Sequence, residues 1–440
     1  MTQVAHHEGI GMPSLSISKD HNASKALGSL IYTLPVTPST SRNGLMGEPL
    51  EELADYLGVV SKRYRPSAIQ ALSVITYNVH RLSCLTLSDP MGLPVLGVPR
   101  RAQGFSVPSR YKVNQIGHQL WCKVVDALEA IGFLEVVLRG YKGKEHMAGL
   151  RSLYRPTQAF SIWLDQVIGR LQLEKLTDDA EPLLLVSKGP GGRRLVDYRD
   201  DQTTQLLRRQ VQFISNVCQS HLVEGWIPKR LAMGKIPPAL INYRRHFRDG
   251  FDQGGRLFSP LQSIPKAHRR HLRFDGMRTI ELDYSSHQPR MCYHLKGLRA
   301  PEDCYAHPTI PRPLLKAAMT RIMNCGSVTQ ARRSIQKVLH EAWLDYSVDT
   351  GMTAGVLLET VFELHPLIKE LMSNDLWMRL QYLESSIALG VMERLAKDDR
   401  PCLGIHDSFV VSEDVEDQLR LLMIEEYEKR LGYEPCLTKV

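Results

Sequence analysis

Two short apolar runs, each carrying an aspartate, constrain this chain more than any other feature. The first covers residues 279–286 (Thr-Ile-Glu-Leu-Asp-Tyr-Ser-Ser) and the second residues 405–410 (Ile-His-Asp-Ser-Phe-Val). Short apolar runs of this kind are typical of β-strands. A single aspartate after a strand is usually a turn residue or a helix cap, whereas two can share a pair of Mg²⁺ ions with substrate phosphates. The pattern therefore predicts a two-metal phosphoryl-transfer site built on Asp283 and Asp407.

The elements ahead of Asp283 occur in an informative order. Residues 254–258 (Gly-Gly-Arg-Leu-Phe) precede residues 261–265 (Leu-Gln-Ser-Ile-Pro), and a basic stretch follows. This order resembles the family A DNA polymerases, where such elements lead through arginines into an Asp-Tyr-Ser motif. The resemblance implies an α+β right-hand polymerase with an antiparallel palm sheet and helical fingers and thumb. It also implies DNA primer-template contacts from Arg256, Gln262, Arg269, Arg270 and Arg273.

A second resemblance lies in residues 312–326. Arg312 and Lys316 are four residues apart, a spacing that places two cations on one helical face, where they can hold a triphosphate. Family A DNA polymerases and phage-type single-subunit RNA polymerases have their fingers helix here. The resemblance implies that the nucleotide, a dNTP or an rNTP, contacts Arg312, Lys316, Tyr284, Gln288 and Gly326.

The departures from family A concern sugar selection. Asn324 and Cys325 stand where the family has an aromatic residue, and the glycine falls one residue late. Gln288 replaces a glutamate that helps to exclude the ribose 2′-hydroxyl, and residues 406–408 (His-Asp-Ser) resemble the phage-type RNA polymerase motif. We therefore expect relaxed sugar discrimination.

The resemblance also implies secondary roles. Gln381 and His406 are expected near the primer terminus, and the Tyr284 carbonyl is expected to be a further ligand of the two Mg²⁺ ions, for which Mn²⁺ could substitute. Asp303, just before the fingers helix, is either a loop cap or a site residue. Glu384 is equally well explained as a helix cap or as a residue of the site.

The charge of the chain favours a nucleic-acid partner. Net charge is +8 and the pI is about 9.0. Between residues 229 and 278 there are twelve Lys or Arg and only three Asp. A surplus of this size leading into the first catalytic strand predicts phosphate contacts along a primer-template duplex.

Composition limits the remaining choices. A chain of 440 residues with 43% hydrophobic residues can form two or three domains. Its eight cysteines include no Cys-x-x-Cys pair, which argues for a reducing compartment and against a structural zinc site. There is no apolar stretch of 18 residues and no signal-peptide pattern, so we expect a cytoplasmic protein with no membrane partner.

The N-terminal half has a different pattern. Helical periodicity over residues 113–131 leads into an apolar strand, a Gly/Lys-rich tip at 140–149 and an Arg-Pro-Thr helix start. This arrangement resembles the winged-helix domains of plasmid replication initiators. The resemblance implies DNA contacts from a wing carrying Arg139, Lys142 and Lys144. An α/β packing module with a solvated hairpin explains the same pattern equally well.

Together these patterns divide the chain into four segments: a flexible arm (1–46), a winged-helix-like domain (47–175), a thumb-like helical segment with a hairpin (176–242), and a palm with reduced fingers (243–440). The prediction is a compact DNA polymerase or primase-polymerase without an exonuclease, serving a mobile element, plasmid or phage, with a possible accessory replication protein as partner. The alternatives are a single-subunit RNA polymerase or primase, and a catalytically inactive DNA-binding initiator.

Overall fold

The structure is a computed structural model that describes residues 31–35, 43–58, 61–86, 93–105, 107–112, 116–140, 151–175, 181–189, 192–227, 232–236, 241–264, 266–372 and 376–440. The chain forms two compact units. The first contains Met1–Pro38, Gly44–Phe105 and Ile116–Gln172; the second contains Ser39–Asn43, Ser106–Gln115 and Leu173–Val440. The predicted segments 176–242 and 243–440 therefore belong to one unit. Most of the predicted arm lies outside the described residues.

Strands and helices alternate in the first part of the chain. Its strands are β1 (Ile31–Pro35), β2 (Asn43–Met46), β3 (Leu93–Val98), β4 (Leu134–Leu138), β5 (Ser152–Pro156) and β6 (Gln172–Lys175). Its helices are α1 (Glu48–Leu57), α2 (Arg65–Thr86), α3 (His118–Ala130) and α4 (Gln158–Val167). The side chains of Trp121, Tyr154 and Phe160 are fully buried in this unit.

The predicted hairpin of β4 and β5 is present, but it belongs to a larger sheet. The strand order is β1-β3-β5-β4, with β1 parallel to β3 and the other pairs antiparallel. The described residues thus do not support a winged helix. Arg139 donates to Glu129 at 2.7 Å and to the Tyr154 hydroxyl at 2.9 Å, so its guanidinium is held by protein groups. Lys142 and Lys144 lie outside the described residues.

The second unit contains the remaining elements. Its strands are β7 (Leu183–Gly189), β8 (Gly192–Leu195), β9 (Val223–Ile227), β10 (Ala232–Lys235), β11 (Arg244–Arg248), β12 (Gly254–Phe258), β13 (Arg273–Phe274), β14 (Met277–Tyr284), β15 (Leu403–Ile405), β16 (Ser408–Ser412) and β17 (Leu437–Lys439). Its helices are α5 (Gln202–Ser220), α6 (Lys266–Arg269), α7 (His287–Leu295), α8 (Arg312–Met323), α9 (Val328–Ala342), α10 (Leu344–Thr350), α11 (Ala354–Leu364), α12 (Leu376–Lys397) and α13 (Glu416–Leu431).

An antiparallel sheet lies at the centre of this unit. Its order is β10-β9-β13-β14-β16-β15, and β17 also pairs with β14. Side chains alternate along β14: Leu282 and Tyr284 are buried in the core, and Glu281 and Asp283 point to the opposite face. The predicted α+β class with an antiparallel sheet is therefore observed.

A smaller sheet of order β12-β11-β7-β8 packs in the same unit. It contains the predicted hairpin of β7 and β8. Helix α5, predicted to be a thumb, begins at a capping box formed by Asp201 and Thr204 and buries Leu207 and Val211 in the main core. Its Gln210 donates to Glu393 of α12 at 2.7 Å. Whether α5 also grips a duplex stays a prediction.

No helix in the described part of the chain is long and apolar enough to cross a membrane.

Candidate active site

The two predicted catalytic aspartates are neighbours. Strands β14 and β16 are antiparallel, and their register places Asp283 opposite Ser408. The Tyr284 amide donates to the Asp407 carbonyl at 3.1 Å. His406 and Asp407 form the tight turn between β15 and β16, and His406 has a left-handed φ of 60°, a strained conformation that is common at functional sites. The sheet and this turn thus bring Asp283 and Asp407 together.

The pKa values of both aspartates are raised. Burial raises the pKa of Asp283 to about 6; Lys316 opposes this shift and the Glu281 carboxylate adds to it. Burial, Glu384 and Asp283 together raise the pKa of Asp407 well above its usual range. Within the described residues neither aspartate forms a salt bridge. Bringing two such carboxylates together without a counter-ion is costly, and a bound cation removes that cost.

The two cations predicted on the fingers helix differ in their surroundings. Arg312 and Lys316 both lie on α8 and both are exposed. Arg312 makes a bidentate ion pair with Asp303, with donor–acceptor distances of 2.7 and 3.1 Å. Lys316 lies close enough to lower the pKa of Asp283. Of the two cations on this helix, Lys316 therefore acts on Asp283, and Arg312 is the partner of Asp303.

Sequence analysis left two roles open for Glu384, a helix cap or a residue of the site. It lies within α12 and is only 3% exposed, so it is not a helix cap. Its carboxylate accepts from Arg256 at 3.0 Å and from the Gln288 amide at 3.0 Å, and it acts on the pKa of Asp407. The signal was available: Glu384 precedes Ile387 by three residues and Val391 by seven, which places a charge on the buried face of the helix.

A chain of amides continues from Glu384. Asn324 donates to the Gln288 carbonyl at 3.2 Å, and Gln381 donates to the Asn324 carbonyl at 3.2 Å. The predicted nucleotide residue Gln288 and the predicted primer residue Gln381 therefore belong to one hydrogen-bonded network. Gly326 lies in the bend between α8 and α9, two residues beyond Asn324.

Most side chains predicted to contact the primer-template have hydrogen-bond or ion-pair partners within the protein. Both ends of the Gln262 side chain hydrogen-bond to the backbone, accepting from Ser259 at 3.1 Å and donating to Gly404 at 2.8 Å; its contact with the primer-template stays a prediction. Arg256 is paired with Glu384, Arg269 with Glu281 at 2.8 Å, and Arg273 donates to the Gly276 carbonyl at 3.1 Å. Arg270 is exposed and contacts His271.

The structure also shows the surroundings of Tyr284 and His406. The Tyr284 ring is buried and its hydroxyl donates to the Met423 carbonyl at 2.7 Å, and its nucleotide contact stays a prediction. Its predicted carbonyl role stays a prediction. Burial lowers the pKa of His406, which keeps the ring neutral near pH 7.

The donor set suits magnesium. Mg²⁺ in phosphoryl-transfer sites is bound by one or two carboxylates together with substrate phosphates and water. Asp283 and Asp407 provide this number of hard oxygen donors, and no basic side chain neutralises them by a salt bridge in the described residues. In this part of the chain no group of three or more His, Cys, Asp or Glu forms a complete protein-only metal site.

Comparison with known proteins adds little. No protein-family model and no curated protein matches this chain. Among solved structures, the chain is similar to the POL domain of Pol1 from M. smegmatis in complex with DNA primer-template and dNTP, at 14% identity and a TM-score of 0.27. The match covers 90% of this chain and 66% of that one, just under two thirds. A similarity at this level carries no argument about function.

Proposed function

We propose that this protein is a Mg²⁺-dependent, template-directed nucleotidyltransferase, a DNA polymerase or primase-polymerase. The observation that carries the proposal is the closeness of Asp283, on β14, to Asp407, in the turn before β16, with raised pKa values and without salt bridges in the described residues. Strong pKa perturbation by burial and a specific charge partner favours a functional site over a structural one.

Asp283 and Asp407 would hold two Mg²⁺ ions, or Mn²⁺ in their place. When bound, these ions supply activation of the primer 3′-hydroxyl and neutralisation of the triphosphate charge. Lys316 binds the triphosphate and stabilises charge on the leaving pyrophosphate. Arg312 contributes only if the substrate displaces Asp303 from it. His406, neutral near pH 7, positions the turn that carries Asp407.

The basic surplus of the chain binds the DNA primer-template through phosphates. The proposed setting is replication of a plasmid, phage or integrated mobile element in the cytoplasm, with an accessory replication protein as partner. These biological assignments extend the proposal by analogy.

A primase or single-subunit RNA polymerase is the second candidate function. The observation that favours it is the network of Gln288, Glu384 and Asn324, because a carboxylate and two amides can hydrogen-bond a ribose hydroxyl instead of excluding it. An inactive DNA-binding initiator is disfavoured, since loss of function would allow salt bridges to neutralise Asp283 and Asp407, and the described residues form none with them.

The test is extension of a labelled primer on a DNA template with Mg²⁺, supplied with dNTPs or rNTPs in parallel. The variants are Asp283→Asn and Asp407→Asn, and the matched control is Asp417→Asn, an exposed aspartate on α13. We expect extension by the wild type and the control and none by the two site variants. The preferred sugar chooses between polymerase and primase. An inactive wild type would contradict the proposal.

A further inference from the structure

A buried glutamate on the strand of Asp283 has an unusual set of partners. Glu281 is 9% exposed and lies two residues before Asp283, on the same face of β14. Arg269 donates to both of its oxygens, at 3.0 and 2.8 Å. The Ser408 hydroxyl donates to it at 2.8 Å. Glu281 therefore joins a basic segment before β14 to the first residue of β16.

The Ser408 contact ties the two halves of the site together. Ser408 is the strand partner of Asp283, whereas Glu281 is opposite Val410. The hydrogen bond from Ser408 to Glu281 thus runs diagonally across the strand pair, a distance that a long side chain can span. Because Ser408 follows Asp407 directly, Glu281 links the turn that carries Asp407 to the strand that carries Asp283.

Arg269 and Glu281 both line a cleft. A cavity of about 460 Å³ is lined by Arg269, Glu281 and other residues of α6, β14 and the C-terminal segment, including Lys266, Arg270, Thr279 and Lys439. Four of the lining side chains are cationic and one is acidic. Lys266 and Arg269 also lower the pKa of Asp283, so the cleft adjoins the catalytic pair. Charge of this sign beside the pair fits a phosphodiester backbone.

Stability alone is a weak reason for this arrangement. A buried ion pair often contributes no more net stability than well-packed apolar residues of similar volume, because both charges lose hydration. A bidentate carboxylate does fix the plane and direction of a guanidinium. A fixed orientation of the Arg269 guanidinium is useful for binding a phosphate in one geometry.

We infer that Glu281 is a positioning residue, which holds Arg269 and Ser408 so that this cleft binds the phosphate backbone of the strand extended at Asp283. The inference rests on the proposed function and adds to it the partner of the cleft, the primer strand.

The first test separates positioning from structure. Glu281→Gln keeps the size of the side chain and removes its charge. The matched control is Glu413→Gln, which removes an exposed partner of Arg278, also on β14, at 3.6 Å. We expect Glu281→Gln to raise the KM for primer-template at least about 10-fold, with a smaller change in kcat, and to make binding less steeply salt-dependent. The control should leave both unchanged.

The second test moves the carboxylate across the strand pair. Ser408→Glu alone should impair extension, since it places a second carboxylate beside Glu281 and Asp283. Combined with Glu281→Ser, it offers Arg269 a carboxylate from β16 at the diagonal position. We expect the double variant to recover to within about 10-fold of the wild-type kcat/KM and to exceed both single variants.

Several results would overturn the inference. One is a Glu281→Gln variant with the KM and salt dependence of the control. Another is a folded double variant no better than its single parents; if the double variant does not fold, Glu281→Gln alone decides. If the wild type extends primers and these tests fail, only the inference falls. If the wild type neither binds nor extends primer-template, the proposed function falls with it.

Discussion

The buried Glu181 and the half-buried pair Asp283 and Asp407, all in the second unit, have opposite surroundings. Glu181 is 8% exposed and accepts from Arg110 at 3.3 Å, from Arg208 at 3.1 Å and from the Leu183 amide at 3.0 Å. The charge of Asp283 raises the pKa of Asp407, and within the described residues neither aspartate has a salt bridge. The carboxylate of Glu181 is thus neutralised by protein cations, and those of Asp283 and Asp407 are not.

The difference shows how structural and functional charges can be told apart. A buried carboxylate that serves the fold is surrounded by donors, because leaving it unpaired costs several kcal/mol, on the order of 3–5. A carboxylate that serves a site keeps that cost until its ligand binds. The two groups should therefore respond to substitution in opposite directions.

The largest effect is expected at Asp407. Asp407→Asn should reduce primer extension at least about 1,000-fold, because it removes half of the metal-binding pair. In EDTA the same variant should unfold at a higher temperature than the wild type, because it removes a buried charge that Asp283 and Glu384 repel. Extension rates and thermal unfolding measure the two effects. A variant that loses both activity and stability would show that Asp407 stabilises the fold, as Glu181 does.

Glu181 should behave in the opposite way. Glu181→Gln leaves Arg110 and Arg208 without their shared buried partner, so we expect a loss of about 3 kcal/mol in the free energy of unfolding. The KM for nucleotide and for primer-template should not change. Urea denaturation followed by circular dichroism measures the loss. Unchanged stability would show that Asp197 and Asp200, which also contact Arg110, suffice to satisfy the two arginines.

The two cations of α8, Lys316 and Arg312, should also differ in their response to substitution. Lys316→Ala should raise the KM for nucleotide about 10-fold or more, because it removes the cation that lowers the pKa of Asp283 most. Arg312→Ala should change it less than about 3-fold, since Arg312 is already paired with Asp303. Steady-state kinetics with a saturating primer measure both. A larger effect at Arg312 would mean that substrate displaces Asp303.

The smallest expected effect is on the pH dependence of stability, through His221. Burial opposes protonation of His221, but its contacts with Asp275 at 2.6 Å and Asp399 at 3.3 Å prevail and raise its pKa. The resulting stabilisation is full below the pKa of the unfolded state and is lost as pH rises through the raised folded-state pKa. His221→Gln should therefore cost about 1 kcal/mol at pH 5.5 and progressively less towards pH 8.5. A difference that does not depend on pH would contradict the charged state of His221.

The sequence was most informative where local pattern determines position. The closeness of Asp283 to Asp407 could be predicted because each aspartate lies at the end of a strand-forming run or interrupts one. Antiparallel pairing of such runs brings their ends together. The spacing of Arg312 and Lys316 predicted their common helix correctly. The hairpin of β7 and β8 was predicted from its glycine-rich turn for the same local reason.

The sequence was least informative where partners are distant along the chain. Arg256 and Glu384 are separated by 128 residues, and neither pattern indicates the other. The same holds for Gln262, whose tether to Gly404 spans 142 residues. Pairing with Asp303 changed the meaning of Arg312 although its helix was predicted correctly. Charges predicted to contact a ligand can equally be neutralised by the protein, and only the structure distinguishes the two.

The most direct test of the account compares Asp407→Asn and Glu181→Gln in one Mg²⁺-dependent primer-extension assay, with thermal unfolding measured on the same preparations. If Asp407 serves the site and Glu181 the fold, Asp407→Asn is inactive and at least as stable as the wild type. Glu181→Gln is then active and clearly less stable. Wild-type extension that persists in Asp407→Asn, or a wild type that extends no primer with dNTPs or rNTPs, would contradict it.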